Sequence, residues 1–216
     1  MQAPILYNLL DQNLWLSAER SIFWEEQKTL VVADLHFGKT GHFRKSGVAV
    51  PQSVYKEDLQ RLLSLLQYFQ PSSLIVVGDF FHSHTNTELQ WFQKWRSDFP
   101  ELKIRLVKGN HDILRNKWYA DAAIEIIPEV LSLAPFFFRH EHCTDNANGY
   151  TFCGHIHPGV IIHGLGKQSL RFPCFYFGKD HAVLPAFSKF TGTAPVELKK
   201  EDNVFAIVED TLVKIR

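Results

Sequence analysis

No stretch of this chain is both long and apolar. Its most hydrophobic runs, residues 30–33, 74–78 and 131–138, fall far short of the ~20 residues that a membrane-spanning helix needs. Basic residues leading into an early apolar run are missing as well, so a secretory leader is not expected. Cysteine is scarce. Cys143, Cys153 and Cys174 form no CxxC pair, and three cannot all pair with one another, which points to buried thiols in a reducing, cytoplasmic setting. Excess charge is absent too: 23 Lys and Arg stand against 23 Asp and Glu, and the pI is 7.2. A surface that grips nucleic acid through many phosphates is therefore not expected, although a brief catalytic contact with it is compatible with neutrality. Repeats, low-complexity tracts and linkers are also missing, and the 216 residues read as a single domain, 1–216.

What is present fits a folded globular chain, with 45% hydrophobic and 21% charged residues. Residues 30–35 predict a buried strand, a continuous apolar run that ends at Asp34-Leu35-His36. Ser53 is a candidate N-cap for a helix whose Tyr55, Leu59, Leu62, Leu66 and Phe69 recur at helical spacing until Pro71. A second strand over 74–77, a helix over 87–98 and a third strand over 104–107 follow. After that come short strand-like runs at 124–127, 130–133, 136–139, 150–154, 160–162, 174–177 and 204–208, with 211–215 closing a hairpin. Two more, at 13–18 and 21–25, precede the first strand. A βαβαβ half followed by a strand-rich half predicts two sheets packed face to face with helices outside.

Eleven histidines are unusual for this length, and several stand at the ends of apolar runs. Asp34 and His36 follow the first strand, Asp79 the second, and Asn110 and His111 the third; His140, His155 and His157 follow later strands. Sites in α/β sheets gather at the carboxyl ends of strands, so these residues should converge. Carboxylate, amide oxygen and imidazole suit manganese, iron or zinc, and the lack of ligating cysteine argues against a structural zinc site. Gly78, Gly109 and Gly154 precede the ligands where close backbone approach is needed. Singly each motif is weak; the ordered series DxH, GD, GNHD, His, GHxH is not.

That series resembles the signature of the calcineurin-like metallophosphoesterase superfamily. The runs DLHFGKTGHFRKSGVAVP (34–51), CGHIHPG (153–159) and LPAFSKFTG (184–192) are similar to bacterial ligase-associated DNA damage response endonucleases of the PdeM type. The resemblance implies a four-layer αββα sandwich of two mixed sheets and a hydrolase that cleaves phosphodiesters through two divalent ions. Manganese is the working metal it implies, with iron, zinc or magnesium as alternatives. Asp34, His36 and His157 would hold the first ion, Asp79 would bridge, and Asn110, His140 and His155 would hold the second. His111 would protonate the leaving oxygen, with Asp112 fixing its ring. DNA would be the substrate, in a repair setting with a ligase or helicase as associated protein.

Alternatives stay open at several points. His142 replaces His140 if the strand ends later. His82 either faces substrate or packs against its apolar neighbours. Lys39, His42, Arg44 and Lys45 make a local basic stretch, of which Lys39 and Arg44 are candidates to meet a substrate phosphate; the bland alternative is a solvated loop. Gly38-Lys39-Thr40 lacks the earlier glycine of a nucleotide-binding P-loop, since Ala33 stands there. His84, His163 and His181 have no ligand-like context, and Trp91, Trp95 and Trp118 read as core or interface. A small-nucleotide phosphodiesterase or phosphomonoesterase is the alternative function, while a structural metal centre or a metal-storage module would have no use for His111.

Overall fold

The computed structural model describes residues 2–39, 53–82, 87–141, 149–164, 166 and 168–216, with backbone only at 53, 54, 87 and 88. The first sheet runs in chain order. β1 (Ile5–Leu9), β2 (Gln12–Ser17), β3 (Ser21–Trp24) and β4 (Thr29–Ala33) pair antiparallel. From β4 the sheet continues in parallel through β5 (Ser73–Val77), β6 (Lys103–Val107) and β7 (Ile124–Ile127). Parallel neighbours require crossovers, and α1 (Ser53–Phe69), α2 (Thr87–Ser97) and α3 (Asn116–Asp121) supply them.

Every residue of β4 and β5 is buried, as strands covered on both faces must be. Alternation then sorts the side chains. Leu30, Val32, Leu74, Val76, Ile104 and Leu106 meet Tyr55, Leu62, Leu65 and Leu66 of α1, Leu89 and Phe92 of α2, and Tyr119 of α3. Val31, Ala33, Ile75, Val77 and Val107 face the opposite way, into a core shared with the second sheet.

That second sheet contains β8 (Val130–Leu133), β9 (Phe136–Arg139), β10 (Tyr150–Cys153), β11 (Pro158–His163), β12 (Ser169–Phe177), β13 (His181–Val183) and β14 (Ala194–Pro195), with β15 (Asn203–Val208) and β16 (Thr211–Lys214). Its order is β14-β11-β12-β13-β10-β9-β8, β15 pairs with β12, and β16 pairs with β15. β9, β10 and β13 run parallel. Phe136, Phe138, Phe152, Phe175, Phe177 and Phe205 fill the space between the sheets. The result is the expected α/β sandwich of two mixed sheets. The described helices all cover the first sheet, while Val196 and Leu198 pack on the outer face of the second.

Four elements lie outside the sequence expectation: β1, α3, β13 and β14. Three of them are too short for a period to show; β14 has two residues, β13 three and α3 six. β12 starts at Ser169 rather than 174 because its first three residues are exposed and carry no burial pattern. Trp91, Trp95 and Trp118 pack on the helix-side core as expected. His163 ends β11, and His181 starts β13 beside Asp180. Cys174 is a buried free thiol. Cys153 is disulfide-bonded, which corrects the thiol expectation there and removes the basis for a reducing compartment, because chain spacing does not show which sulfurs a fold brings together. No helix among the described residues is long and apolar enough to cross a membrane.

Phe152 is 2% exposed in the inter-sheet core, whereas Leu170 is 66% exposed on β12. Phe152→Ala should lower urea-unfolding stability by about 3–5 kcal/mol. Leu170→Ala should stay within about 0.5 kcal/mol of the parent in the same titration.

Candidate metal centre

Five parallel strands end on one side of the sandwich, and their carboxyl-terminal loops carry the candidate ligands. The first two loops are zipped together: the His36 amide donates to the Asp79 carbonyl (2.8 Å), the Phe37 amide to the Phe80 carbonyl (2.9 Å) and the His82 amide to the Phe37 carbonyl (2.8 Å). Phe80 and Phe81 are fully buried and stacked at 4.3 Å, anchoring the Asp79 loop in the helix-side core. Asp34, His36, Asp79, His155 and His157 all have φ between 47° and 66°. This left-handed conformation costs a non-glycine residue about 1–2 kcal/mol, so the surrounding hydrogen bonds hold each ligand against local preference.

Two groups of ligand atoms result: Asp34, His36 and His157, and Asp79, His140 and His155, each set lying within 4.8 Å of one another. His36 Nε2 is 3.3 Å from His157 Nε2, and His140 Nε2 is 3.2 Å from His155 Nδ1 and 3.1 Å from Asn110 Oδ1. Donors about 2.1 Å from a common ion lie about 3.0–3.4 Å apart, which these spacings match. Asp34 is fully buried; its Oδ2 accepts from the His155 amide (3.0 Å), while Oδ1 has no hydrogen-bond partner among the described residues. A buried, orphaned carboxylate oxygen facing imidazole nitrogens suits a cation. Burial, followed by the charge of Lys39, pushes the His36 imidazole down to about 2, so it is neutral, the form that ligates a metal. Asp79 turns Oδ1 towards His140 Nε2 (3.4 Å) and Oδ2 towards His36 Nε2 (3.9 Å), one oxygen to each group.

His111 is tied in by its backbone, whose amide donates to Asp79 Oδ1 (2.9 Å). Its ring lies 4.1 Å from that of His82. His82 Nδ1 is 3.3 Å from His36 Nδ1, so His82 sits against the centre rather than in the apolar core. Asp112 departs from expectation. Its Oδ1 accepts from the amides of Phe80 (2.9 Å) and Phe81 (3.1 Å), and Oδ2 from that of Gly109 (2.9 Å). The carboxylate therefore clamps the Asp79 and Asn110 loops together instead of fixing the His111 ring, because three close amides outcompete a side chain. Burial pushes Asp112 up to about 7, against amide donors that favour its charged form. Lys39 is half-buried and feels Asp79 and Asp34; burial lowers its pKa and those carboxylates oppose the shift. His42, Arg44, Lys45, His84 and His142 lie outside the described residues.

The calcineurin-like phosphoesterase profile matches residues 27–205, a span that contains every residue of both groups. The chain belongs to this family. It is a metal-binding hydrolase of ester bonds. Among solved structures, it is similar to the crystal structure of Pseudomonas putida nuclease MPE, with a TM-score of 0.85 and 28% identity over 98% of this chain and 100% of that one. Yfce, a phosphoesterase from E. coli, matches with a TM-score of 0.46 and 14% identity over 87% of this chain and 97% of that one. No curated protein matches the sequence.

One part of the phosphoesterase site escaped the sequence reading. Residues 186–196 run from one ligand of the first group to another: the Phe187 amide donates to the Ala33 carbonyl (2.7 Å), that of Ser188 to the Asp34 carbonyl (3.3 Å), and that of Ala194 to the His157 carbonyl (2.9 Å). Asp58 of α1, 3% exposed, pins this segment through hydrogen bonds from the Ser188 hydroxyl and the Lys189 amide. Arg61 Nη1 is 2.7 Å from Asp58 Oδ1 and donates to the Phe187 carbonyl (3.0 Å), and its Nε is 2.6 Å from Glu19 Oε2. The run LPAFSKFTG was the available signal, but nothing in it says that it braces Asp34.

A Cβ at Gly109 would lie 2.3 Å from Asp79 Oδ1 and 2.4 Å from the Asp79 amide nitrogen. Gly109→Ala should therefore displace Asp79 and weaken metal binding by about 10–100-fold. Metal content after gel filtration checks this; unchanged stoichiometry and affinity would show that the Asp79 loop yields at no cost.

Proposed function

We propose that this phosphoesterase hydrolyses phosphodiesters, DNA among them, in a two-metal site. The observation that carries the reading is Asp79, buried at 2% exposure, with one oxygen towards each imidazole group. Asp34, His36 and His157 would hold one ion and Asn110, His140 and His155 the other, with Asp79 turning one oxygen towards each group. Two divalent ions, when bound, supply Lewis acidity at the phosphoryl oxygens and an acidified water as nucleophile. Manganese is the metal proposed, on the family resemblance; the mixed carboxylate and imidazole set suits it, as it also suits iron or zinc.

His111 delivers a proton to the leaving oxygen, a role suited to an imidazole held at the rim by its amide bond to Asp79. His82 keeps the His36 ring turned through their facing Nδ1 atoms, and this favours ring positioning over direct substrate contact. Lys39 steadies the substrate phosphate, and its coupling to Asp34 and Asp79 supports that place. Similarity to a nuclease over the whole of both chains favours a nucleic-acid substrate, and a repair role rests on the resemblance carried by the runs 34–51, 153–159 and 184–192. Chain neutrality favours the second reading, a small-nucleotide esterase built on the same centre.

Metal-stripped protein refilled with manganese should cleave bis-p-nitrophenyl phosphate and labelled single-stranded DNA, and Asp79→Asn should cleave neither. Hydrolysis of the ester or of a cyclic nucleotide with DNA left intact would move the substrate to a small nucleotide. For His111→Ala, retained metal stoichiometry is expected with a loss of about 10²–10⁴-fold on DNA and a much smaller loss on the activated nitrophenyl ester. Equal losses on both would remove His111 from the general-acid role.

A further inference from the structure

We propose that the cavity on the Asn110–His140 side of the centre is a subsite for a phosphate adjoining the scissile one in a polynucleotide strand, with Lys108 and Arg139 as its cations. This rests on the phosphodiesterase reading above and states where the rest of the strand is held. The cavity measures about 360 Å³, and Lys108, Asn110, Glu129, Arg139, His140 and Glu141 line it. It forms where the edges of the two sheets meet. Lys108 follows β6, with its amide donating to the Ile127 carbonyl at the end of β7 (2.9 Å), and Arg139 ends β9, paired with Val130 of β8. Each cation is thus placed by the strand end that also places a ligand: Lys108 stands two residues before Asn110, and Arg139 immediately before His140.

Several cations elsewhere among the described residues have structural work. Arg20 and Arg96 hold backbone carbonyls, Arg61 holds Glu19 and Asp58, and Arg105 and Lys117 pair with Glu125 and Asp121. The side chains of Lys108 and Arg139 have no hydrogen-bond or ion-pair partner among the described residues. Two unpaired cations beside a phosphoryl-transfer centre suit a second phosphate, which a single-phosphorus ester cannot offer. The two carboxylates of the cavity are not equivalent. Glu141 reaches to 4.0 Å from His155 Nδ1, on the side of the imidazoles. Glu129 is exposed and repels an incoming phosphate. With net charge zero, attraction over the whole surface is not available, so strand binding depends on such local cations.

The test uses the manganese-refilled enzyme turning over bis-p-nitrophenyl phosphate, with an oligothymidylate dodecamer as competitor. Its inhibition constant reports binding whether or not the strand is cut. Lys108→Ala and Arg139→Ala should each raise that constant about fivefold to tenfold and lower its log–log salt slope by about 0.7. KM and kcat for the nitrophenyl ester should stay within about twofold, since neither cation touches that ester. Glu129→Gln should change the inhibition constant in the opposite direction. A constant and salt slope unmoved in both alanine variants, or a wild-type enzyme that the dodecamer does not inhibit, would overturn the subsite. Sensitive inhibition by a strand that stays uncut would keep the subsite and overturn the nuclease reading instead. Cleavage of DNA by variants with unmoved constants would do the reverse.

Discussion

Two carboxylates, Asp34 and Asp79, lie almost without exposure within a few ångströms of each other's imidazole partners. Buried like charges of this kind are costly unless cations offset them. His36 does not provide that offset, because burial holds its imidazole neutral. Divalent cations do, and the orphaned Asp34 Oδ1 marks where one is wanted. The rest of the site follows from this constraint. Ligand-bearing loops turn through left-handed backbone, and Gly78 and Gly109 leave room where a Cβ would strike His140 or Asp79.

The sandwich is the device that assembles the two groups. Parallel β4, β5 and β6 end side by side, so Asp34, Asp79 and Asn110 arrive together from crossovers of one hand. β9 and β10 bring His140 and His155 from the other sheet, across a core of stacked phenylalanines that sets the distance between sheets. Asp112 and Asp58 act behind the ligands, the first joining two loops by backbone amides and the second bracing the segment that spans Asp34 and His157. Neither touches the candidate metal positions; both decide how firmly those positions are held.

Electrostatics in this phosphoesterase is local rather than global. Net charge is zero, and Arg20, Arg61 and Arg96 are spent on carbonyls or carboxylates inside the fold. The cations proposed for an anionic substrate stand near strand ends: Lys39 beside Asp34 and Asp79, and Lys108 and Arg139 in the cavity beside Asn110 and His140. A strand held at such points would be bound weakly and specifically placed, as suits an enzyme that must release its product.

Strand and helix existence was legible where burial imposes a period, as in α1 with Tyr55, Leu62 and Leu66, and in the wholly buried β4 and β5. It was not legible in β13, β14 and α3, which are too short to show one, nor in the exposed half of β12. The candidate ligand set could be named from the chain because metal chemistry demands particular side chains, and strand ends are the places to carry them. By itself, then, the sequence determined the two-sheet class and which residues had metal-binding chemistry. Tertiary structure alone decided how the remaining polar groups are used: Asp112 on amides rather than on His111, His82 against His36, Asp58 beneath Asp34, Cys153 in a disulfide. The reason is physical. A ligand's identity is local chemistry, whereas the partner of a buried polar group is whichever donor or acceptor the packing of distant segments brings within hydrogen-bond reach.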